Sequence, residues 1–132
     1  QAYSVEGVTG DFNDPNLIYQ LAEDGKGLTG FCKIARESSY AAHSNARRPA
    51  ALNQLYTAPD KTGRGIGAAL MDWAMAEAAN IGADAVQLSV YSENPGAQRF
   101  YERYGFEKIA DIEFWVGSQC DHEYLYEVRL DT

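Results

Sequence analysis

Between Leu55 and Leu70 a strand-like stretch gives way to three alternating glycines, Gly63, Gly65 and Gly67, and then to an Ala-rich helical pattern. Few folds tolerate that order. Glycine lets a backbone turn through positive φ and approach a neighbour without a Cβ in the way. A helix opening on such a run presents unpaired N–H groups and positive partial charge, the ingredients of an anion site. Lys61 and Arg64 add charge there, against a background of eleven Lys+Arg and nineteen Asp+Glu, net −8. The same glycines would equally serve a tight turn that only lets helix and strand pack closely, and spacing alone does not choose. A Walker A loop is excluded, because no Gly-Lys-Ser/Thr closes the run. Gly63, Gly65 and Ala68 formally satisfy a dinucleotide fingerprint. However, five residues separate the strand from Gly63, and only one crossover follows, which does not fit that fold.

The remaining pattern fixes the fold class. Leu17–Glu23 and Leu28–Ala35 read as strands around an Asp24-Gly25-Lys26-Gly27 turn, and Ala50–Thr57 as a third strand after a long loop from Glu37 to Pro49. Apolar residues at Ile66, Ala69, Leu70, Trp73 and Ala74 predict a helix to about Asn80, stopped by Gly82. Ala85–Tyr91 alternates as a strand; Asn94 and Pro95 then open a second helix that ends at Gly105. Two strands, about Phe106–Val116 and His122–Leu130, complete the order β-β-β-α-β-α-β-β. This is an α+β (mixed α/β) fold: a central, mostly antiparallel sheet with one βαβ crossover and helices on its faces. The 132 residues suffice for one domain, 1–132, with 1–16 irregular or a partial amino-terminal element. With 45% apolar and 23% charged residues the chain is an ordinary globular one, not a disordered one.

A second motif follows the fourth strand: Asn94, Ala97, Phe100, Tyr101, Gly105 and Phe106. Together with Thr62-Gly63-Arg64-Gly65-Ile66-Gly67, it resembles the GNAT superfamily of acetyl-CoA-dependent N-acetyltransferases. The resemblance covers about Leu17 to the C-terminus. It implies transfer of an acetyl group from acetyl-CoA to a primary amine of a small molecule or peptide, by direct attack. The alternative is an acetyl-CoA-binding sensor without turnover. By the same resemblance, the third and fourth strands splay apart to admit the pantetheine arm. Leu55, Tyr56 and Thr57 would then line the arm, and Thr62, Gly63, Arg64, Gly65, Ile66, Gly67 and Ala68 would wrap the pyrophosphate. Asn94 would bond the arm as well as cap its helix, and Tyr101 would protonate the departing thiolate. A phenol suits that task, since a donor of pKa ~10 is protonated at neutral pH. Thr62 stands where the family has Gln or Arg, which removes one side chain from the pyrophosphate.

No residue announces itself as the base: Asn53, His43, His122, Glu113 and a water chain are all open. Arg99 and Arg103 could reach the 3′-phosphate or lie on an exposed helix face. No metal is expected. The acidic balance works against nucleic acid and anionic membranes as partners. Cys32 and Cys120 form neither a framework nor a C-x-x-C pair, which suggests a reducing, cytoplasmic setting. The chain begins at Gln1, so a trimmed product is expected, with the family's amino-terminal strand missing and a homodimer formed through the edge at Leu17–Glu23.

Overall fold

The computed structural model describes residues 14–58 and 65–130. Strands β1 (Leu17–Asp24), β2 (Gly27–Ala35), β3 (Pro49–Thr57), β4 (Ala85–Tyr91), β5 (Glu107–Val116) and β6 (Gln119–Arg129) accompany helices α1 (Ile66–Asn80) and α2 (Pro95–Glu102). They form one six-stranded sheet in the order β1-β2-β3-β4-β6-β5. All neighbours are antiparallel except β3 and β4, the crossover that α1 bridges.

Local chemistry accounts for most boundaries. The β1–β2 turn is held by Asp24 Oδ1, which accepts from the Lys26 N–H at 2.7 Å. Both helices stop at a positive-φ glycine, Gly82 and Gly105. After α1, the Gly82 N–H donates to the Ala79 carbonyl and the Ala83 N–H to the Ala78 carbonyl, the paired bonds of a Schellman stop. Gly105 and Phe106 repeat the pattern onto Glu102 and Tyr101. The expected loop at Glu37–Pro49 contains one short 3-10 turn, Ala41–His43. The last hairpin is tighter than expected. Val116 pairs with Gln119 across Gly117 and Ser118, so β6 starts at Gln119 rather than His122. Gly117 supplies the positive φ of that turn.

Among the described residues both helices pack on the same face of the sheet. Leu70, Met71, Ala74 and Ala78 of α1 join Ile34, Leu52, Val86, Leu88, Val90 and Phe106 in one core, and Ala97, Phe100 and Tyr101 of α2 pack against it. Gly30 sits beneath the start of α1. A Cβ there would lie 2.6 Å from the Tyr56 carbonyl oxygen and 3.1 Å from Ile66 Cγ2, so only glycine lets the helix come so close.

The β3–β4 pairing is short. It runs from Pro49↔Ala85 to Ala51↔Gln87 and then ends, although β3 continues to Thr57 and β4 to Tyr91. At this point β3 carries a bulge. Lys33 pairs with Gln54 and Ile34 with Leu52, which leaves Asn53 without a partner on β2. Bulges bend and twist the strand that carries them. The sheet therefore opens between β3 and β4 on the side where α1 begins.

Candidate functional site

Beside this opening lies a cleft of about 520 Å³, and its walls come from three elements, β3, α1 and α2. Leu55 and Thr57 line it from β3, Gly65, Gly67 and Ala68 from the start of α1, and Ala97, Phe100, Tyr101 and Arg103 from α2 and its end. Gly65, at φ +78°, turns the chain into the helix, and a Cβ on it would meet nothing within 4 Å. The first helical bond runs from the Ala69 N–H to the Gly65 carbonyl, so the amides of Ile66, Gly67 and Ala68 have no intrahelical partner. A Cβ on Gly67 would stand 3.7 Å from the Phe100 ring and 3.8 Å from Thr57 Oγ1, inside the cleft. An apolar slot that meets amides without an intrahelical partner at its mouth fits an extended thioester arm with a phosphate group at its end.

Of the residues expected at this site, Leu55, Thr57, Gly65, Gly67, Ala68 and Tyr101 come together here. Tyr56 alternates away from them and packs on Phe31, ring centroids 5.4 Å apart. Ile66 packs against the core rather than lining the cleft. Asn94 is exposed and caps α2, its Oδ1 accepting from the Ala97 N–H at 3.1 Å. Thr62, Gly63 and Arg64 lie outside the described residues, as do 1–13 with the question of an amino-terminal strand. Arg103 reaches the cleft, its guanidinium 5.8 Å from the Phe100 ring centroid, whereas Arg99 is exposed on α2. Ala97 and Phe100, given by the sequence only as motif positions, are walls of the cleft.

Tyr101 is set edge-on between Phe100 and Phe106, at 5.3 and 5.9 Å. Burial, and to a lesser extent the neighbouring Cys32, push its phenol above the ordinary tyrosine range. Cys32 is itself fully buried, with Sγ 3.8 Å from the Leu70 carbonyl, and burial lifts its thiol to about 12. Both groups are therefore neutral around pH 7.

The candidate bases lie elsewhere. His122 Nε2 is 3.0 Å from Asp111 Oδ1, and Glu113 is exposed on β5 opposite His122. His43 lines a separate hollow with Asn45 and Glu127. Asn53 is the exposed bulge residue. On the sheet face away from α1, sequence reasoning missed a polar network. Gln87, fully buried, accepts from Ser38 Oγ at 2.6 Å and donates to Glu127 Oε1 at 2.8 Å. Beside it the Tyr40 hydroxyl donates to Ser89 Oγ at 3.3 Å. Nothing in the local sequence sets Gln87 apart from any other polar residue in an alternating strand. Among the described residues no His/Cys/Asp/Glu group is arranged to hold a metal, and no helix is long and apolar enough to cross a membrane.

A sheet parted beneath a glycine-opened helix is the architecture of an acyltransferase fold. The chain belongs to the GNAT acetyltransferase family: the family's model matches residues 3–106. An uncharacterized N-acetyltransferase of Mycobacterium tuberculosis is 38% identical over 112 residues, covering 85% of this chain and 67% of that protein. An uncharacterized N-acetyltransferase of Methanocaldococcus jannaschii is 35% identical over 83 residues, 63% of this chain. The match spans only 37% of that longer relative. Among solved structures, the spermidine/spermine N-acetyltransferase of Vibrio cholerae shares the fold at TM-score 0.71 and 20% identity, covering 97% of this chain and 75% of its own. The GNAT family uses acetyl-CoA as cosubstrate.

Proposed function

We propose that the protein transfers the acetyl group of acetyl-CoA to a primary amine, with Tyr101 as general acid. The observation that carries this reading is the placement of Tyr101 in the same cleft as the first turn of α1, whose amides lack an intrahelical partner. Acetyl-CoA supplies an activated acyl group as its thioester. Leu55 and Thr57 flank its arm from β3, and the amides of Ile66 to Ala68, with Thr62, Gly63 and Arg64, receive the pyrophosphate. Asn94 keeps its Nδ2 for the arm while Oδ1 caps α2, since the cap engages only one of the two amide groups. The amine nitrogen attacks the acetyl carbonyl carbon, the C–S bond breaks, and the Tyr101 O–H passes its proton to the departing sulfur. The protonated amine gives up one proton to water before it attacks, and the second proton it loses after attack restores the Tyr101 phenol; no carboxylate or imidazole lines the cleft among the described residues. Arg103, at the mouth, is placed to meet the anionic end of the cosubstrate.

The amine acceptor fits the net charge of −8, which favours cationic partners. The Vibrio cholerae neighbour, named for spermidine and spermine, makes polyamines the first acceptors to try. The test is incubation with acetyl-CoA and a panel of primary amines, with mass spectrometry of the acetylated amine alongside release of CoA. Matching yields of the two products are expected with at least one acceptor. Tight binding of acetyl-CoA without transfer to any amine would favour the sensor reading. Failure of CoA to bind at all would remove the cleft assignment.

A further inference from the structure

A second concave site lies at the other end of β3. Arg36, Arg47 and Arg48 line one hollow of about 240 Å³, together with Glu37 and Ser38. Three of the eleven cationic residues of an acidic chain thus contribute to one small space, and Arg48, whose Nη1 would stand 3.4 Å from a Cβ on Gly82, also lines with Arg47 a neighbouring hollow beside Asp84. Among the described residues none of the three guanidiniums forms an ion pair with a carboxylate, Glu37 included. The adjacent carboxylate is committed elsewhere. Asp84 accepts from the backbone N–H of Arg47 at 2.7 Å and of Arg48 at 2.9 Å, so it holds the main chain and leaves the side-chain charge uncompensated. The Asp84 N–H donates in turn to the Arg48 carbonyl, fixing this corner to the start of β4. Arg36 is anchored at one nitrogen only, Nε donating to the Pro15 carbonyl at 3.1 Å. Its terminal nitrogens remain available as a donor pair.

Like charges gathered around a hollow without a counter-ion repel one another, and a bound anion reverses the sign of that energy. Guanidinium forks are suited to tetrahedral or carboxylate oxyanions. The nine residues of β3 put this hollow about 26 Å from the cleft mouth, too far for the same phosphate group to serve both. We propose that the Arg36–Arg47–Arg48 hollow binds a small dianion, a phosphate or dicarboxylate group, independently of the acetyl-transfer site. Because it does not rest on the acetyltransferase reading, it stands even if no amine is acetylated.

The experiment is an amide NMR titration of the full chain with inorganic phosphate and, separately, succinate at fixed ionic strength. Saturable shifts at Ser38, Arg47 and Arg48 are expected, with a dissociation constant of about 1 mM or tighter for at least one probe. A response to both defines a general dianion site, and a response to one identifies the geometry it prefers. The Arg47→Gln/Arg48→Gln double variant changes only exposed side chains, and it should weaken binding about tenfold or more while leaving CoA affinity and melting temperature unchanged. Linear shifts with both probes, shifts confined to Gly65–Ala68, or undiminished binding by the double variant would overturn the proposal.

Discussion

Tyr101 has aromatic neighbours on both sides, so Tyr101→Phe preserves the ring packing and removes only a hydroxyl. With a competent acceptor, kcat should fall ~10²–10⁴-fold while acetyl-CoA affinity, read by calorimetry, moves little. The raised phenol stays protonated to higher pH than a free tyrosine, so the alkaline fall in rate should lie above pH ~10 and vanish in the Phe variant. Full activity in that variant, with chemistry rate-limiting, would sink the assignment. Cys32 offers a second, independent measurement. Its folded value of about 12 stands above the ordinary thiol value of 9.0, so the unfolded chain loses this proton first as pH rises. The stabilisation is complete below pH 9 and disappears between there and about 12. Urea midpoints at pH 8 and pH 10.5 should therefore differ more in the wild type than in Cys32→Ala. The exposed Cys120 should react with a thiol reagent in the native state and Cys32 only on unfolding. The motif residues were legible one by one because each carries a local demand, such as Gly65 at positive φ or Asn94 at a cap. Gln87 was not, because its burial depends on Ser38 and Glu127, 49 and 40 residues away.

At the level of elements, Gly30 controls how closely α1 approaches the sheet. Gly30→Ala places a methyl group 2.6 Å from a backbone oxygen and 3.2 Å from Leu70 Cδ1, so β2 or the helix start must shift. A loss of about 1–3 kcal/mol in urea unfolding is expected, the usual range for overpacking. CoA affinity should also drop, because the displaced segment carries the amides of Ile66 to Ala68. Unaltered stability would mean that the helix start yields freely. Asn94→Ala should cost about 1 kcal/mol through the lost cap, read from the same unfolding curves. The first hairpin and both helix stops were readable in advance because turns and caps are set within a few residues. The strand order was not. That β6 enters between β4 and β5, and that β3 and β4 part after Ala51↔Gln87, follows from contacts far apart in sequence. The unpaired Asn53 gave only a polar residue in an apolar strand as its sign.

For the whole molecule, β1 and β5 end the sheet among the described residues, and Trp115 and Val116 are 63% and 75% exposed on the last hairpin. Such edges favour pairing between chains. A dimer or larger assembly is expected by light scattering, and a monomer at high concentration would count against it. Acetyl-CoA at a hundred times its Kd should add roughly 2.7 kcal/mol to stability, visible as a rise in Tm. The place of β6 also bears on how the protein is made. A chain emerging from the ribosome can form the β1–β2–β3 meander early, but until Gln119–Arg129 is synthesised the strand pairing of β4 among the described residues is limited to three parallel pairs with β3. The cleft has its β3 wall and helix start long before the opposite wall is secured. Nascent chains halted before Gln119 should thus be open to protease at β4 and unable to retain CoA, so that competence to bind arrives with the final strand.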